Sequence, residues 1–333
     1  MPVFWRKMAP LLSFSSDDRG RQSAAGKIVM SDSFAKVISF VVFVILGWIL
    51  RRFGILKAET FHAISGLVLY VTLPCVIASN LNGVKIEGEM LLIAFFGFAT
   101  NLLFFIYAVL LTWRMKDRDR RDFIRMNMGG YSCGPFAVPY VQAFYPTTGI
   151  LATCVFDVGN VLMSGGGTYA ILSGTREKTS FLGSLKMMGQ KLIKSGPLVS
   201  FTFMVVLALL GLKLPDGVIT VTKVGAAANG MLCMIMIGES IDLAMSWDKF
   251  KIVSRIILCR LLPCIVFAWF AYNCMPVEEE MRKALVLTCL APMPSMSLIY
   301  TAQMGLDLAM AANLSSLCVA VSVAAISIAL MIM

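Results

Sequence analysis

Apolar residues fall along this chain in about ten blocks, each close to the 20 or so residues that an α-helix needs to cross a bilayer. Polar and charged residues collect in the gaps between them. The blocks cover residues 35–50, 61–82, 90–113, 122–145, 148–173, 196–214, 217–243, 250–272, 284–304 and 307–333. They leave no room for a separate soluble domain, so the pattern predicts an all-α polytopic membrane protein of ten transmembrane helices. Two stretches break the rhythm. Residues 1–32 form a polar N-terminal tail without an apolar core long enough for a secretory signal. This tail reads either as disordered or as a non-native extension ahead of a start at Met30. Residues 176–195 place Phe181, Leu185, Met188 and Leu192 on one helical face and Lys178, Lys186, Lys191 and Lys194 around the rest. That is the pattern of an amphipathic helix lying on the inner leaflet, and it divides the chain into residues 33–175 and 196–333 with five spans each.

Composition agrees with lipid as the solvent. Of the 333 residues 58% are hydrophobic and 14% charged, against roughly 25% charged in a soluble domain. A soluble enzyme, a disordered chain and a nucleic-acid-binding protein are poor readings of such a chain, although its formal net charge is +10. The basic residues sit in short gaps and not on one polar face. Three, six, five and three Lys or Arg follow spans 1, 3, 5 and 7, against five in all after spans 2, 4, 6 and 8. The positive-inside rule then makes the odd loops cytoplasmic and puts both termini outside. Trp48, Trp113 and Trp247 fall at the predicted inner ends of spans 1, 3 and 7, as an interfacial aromatic belt requires. The nine cysteines lie almost entirely inside apolar runs, form no CxxC and are odd in number. They read as small buried hydrophobes and not as a disulfide framework or metal site.

The fourth span of each half carries the chemistry. Span 4 reads MNMGGYSCGPFAVPYVQAFYP and span 9 reads LVLTCLAPMPSMSLIYTAQMG. Pro135 lies 100 residues after the start of span 1, and Pro292 lies 96 after the start of span 6. Proline removes a backbone donor and clashes one turn back, and glycine lets the chain leave helical geometry. The freed N–H and C=O groups cannot face lipid, so they must line protein or a water-filled cavity. Half-helix N-termini there favour an anion such as a carboxylate. Interrupted spans at matching places in two halves of opposite direction mark a transporter site. The expected substrate-binding residues are Ser132, Cys133, Gly134, Pro135 and Pro139 in span 4, and Pro292, Pro294 and Ser295 in span 9.

At these residues the chain resembles the auxin efflux carrier family, which includes plant auxin carriers and bacterial permeases for malate or malonate. LVLYVTLPCVIASNL, around Pro74, resembles the family's second helix, GPFAVPYVQAFYP its fourth and FDVGN its fifth. VGAAANGMLCMIMIGESI resembles its seventh, and APMPSMSLIYTAQMG with the following span resembles its ninth and tenth. The likeness covers residues 33–333. It implies ten helices as two inverted five-helix repeats. Helices 4 and 9 break and cross near the midplane, in the fold class of sodium/proton antiporters and bile-acid symporters. It also implies a supporting scaffold, a moving transport part and a homodimer. The chain departs from the family at Ser132, where an Asn is usual, at Ala137 and Pro146, where Gly is usual, and at Glu239, where a small residue is usual. Either Pro292 or Pro294 aligns with the family's helix-9 proline.

Charged groups inside spans complete the reading. Asp157 lies nine residues into span 5, about 13 Å deep, with Asn160 on the same face. It serves either as a proton or cation coupling site beside the crossover or as a helix–helix hydrogen bond. Glu239 and Asp242, near the end of span 7, are expected to pair with Arg260 of span 8, because an ion pair lowers the burial cost of each. Asn127, Gln142 and Gln303 either face the cavity or bond a neighbouring helix. No HExxH or P-loop motif is present, so an enzyme is disfavoured. No cofactor is expected beyond coupling to a proton or sodium gradient. The function expected is secondary active transport of a small organic anion across the cell membrane. The alternative is a cation/proton antiporter of the same fold class that uses Asp157.

Overall fold

A computed structural model describes residues 35–56, 58–84, 88–176, 196–241 and 245–333. The tail at 1–32, nearly all of the 176–195 linker and Asp242 lie outside them. The described residues are helical and contain no strand. Six helices are long and apolar enough to cross a membrane, and the chain is an integral membrane protein. In chain order α1 covers 35–52, and α2 runs from Ala58–Leu67 through a π-helical turn, Val68–Thr72, into Leu73–Leu81. α3 is Glu89–Thr112. α4 has a first arm Arg118–Met128 and a second arm, a π turn Cys133–Ala137 followed by Val138–Phe144. α5 runs Thr148–Leu162, through a π turn Met163–Gly167, to Thr168–Arg176. α6 is Gly196–Leu209, α7 Asp216–Ser240 and α8 Trp247–Cys274. α9 has arms Glu279–Cys289 and Met296–Gln303, and α10 is Leu308–Ile332.

The six long helices correspond to blocks 2, 3, 5, 7, 8 and 10 of the hydropathy pattern. Block 6 is the shorter apolar helix α6. Blocks 4 and 9 contain no continuous helix of spanning length because both are interrupted. Block 4 begins earlier than its apolar pattern, at Arg118, because Asp117 caps it: the Asp117 carboxylate accepts from the N–H groups of Asp119 and Arg120 at 3.0 and 3.2 Å. The π turns of α2 and α4 have a local cause. Pro74 and Pro139 lie just beyond them and have no N–H to offer the carbonyl one turn back, so the helix widens before each. In α5 the widening comes at the Ser164–Gly167 run, where Gly166 has φ 151°, and the Tyr300 hydroxyl donates to the Gly165 carbonyl. The run thus opens the helix.

Packing follows from small residues at the contacts, as membrane helix pairs require. α3 lies along α5, and a Cβ on Gly159 would sit 1.9 Å from the Ala94 carbonyl oxygen. α1 meets α7 in the same way, where a Cβ on Gly238 would sit 1.9 Å from the Val44 carbonyl. α2 packs on α6 and α7, and α8 on α10 and the first arm of α9. The first arm of α4 contacts the second arm of α9, and the second arm of α4 contacts the first arm of α9. Leu91, Phe95, Leu110, Val221, Leu258 and Trp269 lie exposed on the outer faces of α3, α7 and α8, where lipid covers them.

Gly159→Val is expected to remove the folded, monodisperse species in detergent, because overpacking against backbone has no side chain to yield. Gly217→Val, with no atom within 4 Å of its added Cβ, is expected to retain it. Size-exclusion profiles of the two variants make the comparison.

Candidate functional site

The first arm of α4 ends because Gly129 is extended and Gly130 adopts φ 81°, a conformation that costs glycine little. A Cβ on Gly130 would lie 2.8 Å from Pro294, so glycine here also admits the backbone of the α9 break. In α9 the helix stops after Cys289, and Pro292 and Pro294 keep residues 290–295 out of it. The two breaks meet directly: the Ser132 N–H donates to the Pro292 carbonyl at 2.9 Å. Asn127, in the first arm of α4, donates to Thr301 of the second arm of α9 at 3.0 Å.

Breaking two helices inside a membrane strands carbonyls that must find donors. Arg260 of α8 supplies them. It is buried, and its guanidinium donates to the Met128 carbonyl, to Gly130 at 2.6 Å and to Ala291 at 3.3 Å. Its charge also lies 5.1 Å from the Phe104 ring centroid and 5.8 Å from that of Tyr131, within cation–π range. The first arms of both broken helices thus point their negative dipole ends at one fixed positive charge. The expected pair of Arg260 with Glu239 is not formed, because these carbonyls occupy the guanidinium. Asp242 lies outside the described residues.

Asn160 of α5 holds the other side of the α4 break. Its amide nitrogen donates to the Tyr131 carbonyl at 2.9 Å, and its amide oxygen accepts from the Tyr131 N–H at 3.1 Å. It thus pairs with the chain as a neighbouring peptide group would. Asn101 of α3 donates to the same oxygen at 3.0 Å. Asn160 also donates to Asp157 at 2.7 Å. Asp157 lies with Cys133 and Gly134 around a space of about 30 Å³, behind the break.

In front of the break is a cavity of about 340 Å³. Ser132, Pro135, Pro292 and Ser295 line it. Four of the eight expected substrate-binding residues therefore share one wall, at the start of the second arms. Of the other four, Cys133 and Gly134 border the smaller space, Pro294 packs on Gly130, and Pro139 is buried within α4. The opposite wall was not expected. It holds Arg51 of α1, Phe61 of α2, Glu239 and Ser240 of α7, and Ser315 and Ser316 of α10. Arg51 donates to the Glu239 backbone carbonyl at 2.5 Å, and Ser316 donates to the Ser240 carbonyl at 2.9 Å, so both cap the end of α7. The sequence signal for Arg51 was its place in a basic loop, which explains orientation without pointing to a cavity. Gln142 bonds a neighbouring helix: it donates to the Ala226 carbonyl at 2.9 Å and accepts from Asn229 at 3.3 Å. Among the described residues no cluster of His, Cys, Asp and Glu is arranged to hold a metal ion. Comparison with known protein families and with curated proteins finds no match to this chain.

Arg260→Met is expected to lower thermal stability strongly, because three buried carbonyls lose a donor worth about 1–3 kcal/mol each. Adding Glu239→Gln is expected to restore nothing. A thermal-shift measurement in which the double variant recovers the loss would instead reveal an ion pair.

Proposed function

We propose that the protein is a secondary active transporter that moves a small organic anion, a carboxylate, across the cell membrane by alternating access, in the manner of the auxin efflux carriers it resembles. The observation that carries this reading is the meeting of two interrupted helices at one cavity. A break in a membrane helix is tolerated only where protein or water covers it. Here two breaks hydrogen-bond to each other, and the beginnings of both second arms, with Ser132 and Ser295, border the same space. Helix N-termini and hydroxyls are donors, which suits a carboxylate.

In this reading the ten helical segments are two inverted repeats of five. Matching contacts support it: α3 on α5 parallels α8 on α10, and each arm of α4 meets the opposite arm of α9. Asn101 and Arg260, which hold the breaks, lie 12 and 13 residues from the starts of α3 and α8. With the odd loops cytoplasmic, the cavity lies toward the cytoplasm, beside the ends of α1 and α7. The opposite side is closed by Gln142 on Ala226 and by Lys36 on the Ala143 carbonyl at 3.0 Å. The molecule would then be in an inward-facing state. Ion exchange through Asp157 is the second reading, favoured by the position of that carboxylate against the α4 break.

Counterflow of carboxylates into proteoliposomes tests the reading. Ser132→Ala is expected to weaken apparent affinity about tenfold, the value of one hydrogen bond to a charged group, with the folded yield unchanged. Absence of any carboxylate counterflow by the wild type would overturn it. Asp157→Asn separates the two readings: sodium or proton exchange lost together with carboxylate movement marks a coupling role, and exchange in the absence of any carboxylate marks the antiporter.

A further inference from the structure

The proposed carboxylate site contains a carboxylate of its own. Glu239 is only 2% exposed, borders the cavity, and has no hydrogen-bond partner of good geometry for either side-chain oxygen. Arg51, the one cation among the described lining residues, also donates to the Glu239 backbone carbonyl. Arg260 is engaged at the crossing. An ionised carboxylate accepts and cannot donate, and burial without a partner is expensive for it. Arg51 and Glu239 already balance in charge among the described lining residues, so a simple anion held at Ser132 and Ser295 would leave an uncompensated negative charge in this low-dielectric space, where repulsion is large.

We propose that the cavity takes a zwitterion, a small apolar amino acid whose carboxylate sits at the crossing of α4 and α9 and whose ammonium pairs with Glu239. This rests on the carboxylate reading above and names its substrate class. An ammonium brings three donors and a positive charge to the buried Glu239 oxygens. Phe136, Met236 and Leu298, also in the lining, give the apolar body of such a molecule a surface to contact. Glu239 then sets specificity, because a site built to pair a polar group rejects the analogue that lacks it.

The test uses three matched sets of ligands, built on alanine, leucine and phenylalanine. Each set contains the amino acid, the acid lacking the amine, and the amine lacking the acid. Binding to the purified full-length protein is measured by calorimetry, with counterflow in proteoliposomes. In at least one set the wild type is expected to favour the amino acid over its deaminated acid about tenfold or more, and Glu239→Gln is expected to erase that preference while still binding the acid. The wild-type comparison decides by itself if the variant fails to fold. Acids bound as well as or better than their amino acids in every set would overturn the zwitterion and leave the anion reading standing. So would acid binding that strengthens as pH falls with no gain from the amine, the mark of a protonated Glu239. Preference for the bare amines, or binding of none of the nine, would overturn both readings.

Discussion

A guanidinium charge deep in a membrane protein, paired with no acid among the described residues, is the constraint around which this structure is organised. A guanidinium charge at that depth costs at least about 2.5–3.5 kcal/mol on insertion scales. Intact helices offer it little, because their carbonyls are already bonded within the helix. Two interrupted helices offer free carbonyls at the C-terminal ends of their first arms, and Met128, Gly130 and Ala291 provide them. The arginine and the breaks therefore satisfy each other. Neither is stable in lipid alone.

The same arrangement fixes direction. With both negative helix ends gathered on Arg260, both second arms begin on the other side of the crossing, where Ser132 and Ser295 border the cavity. Asn160 and Asn101 secure the α4 break from α5 and α3, and Gly130 lets Pro294 approach. The crossing is thus bonded to α3, α5 and α8. It meets α7 through the second arm of α4, where Gln142 donates to the Ala226 carbonyl. In the proposed transport cycle the crossing moves as a unit with the helices it is bonded to.

Much of this was written in the sequence. Hydropathy blocks marked the helices, and the Gly and Pro positions in blocks 4 and 9 marked the breaks, because those residues alter the backbone wherever they stand. Ser132, Pro135, Pro292 and Ser295 followed from the breaks. The partner of Arg260 did not. Charge matching pointed to Glu239, whereas the partners are backbone carbonyls more than 100 residues away in α4 and about 30 away in α9, and every residue has a carbonyl. Asn160 was legible as a polar residue near Asp157, but its peptide-like grip on Tyr131 depends on a backbone turn with no side-chain signature. Nothing in the sequence pointed Arg51, Ser315 and Ser316 to a cavity, because a wall drawn from α1, α7 and α10 depends on how distant helices pack.

The most direct measurement is a cryo-electron microscopy map of the full chain in lipid nanodiscs, at a resolution that shows the side chain of Arg260. The account predicts both α4 and α9 interrupted, the Ser132 N–H on the Pro292 carbonyl, and the guanidinium bridging the ends of both first arms. Two continuous helices, or an Arg260 turned away from the breaks toward an acidic side chain, would contradict it.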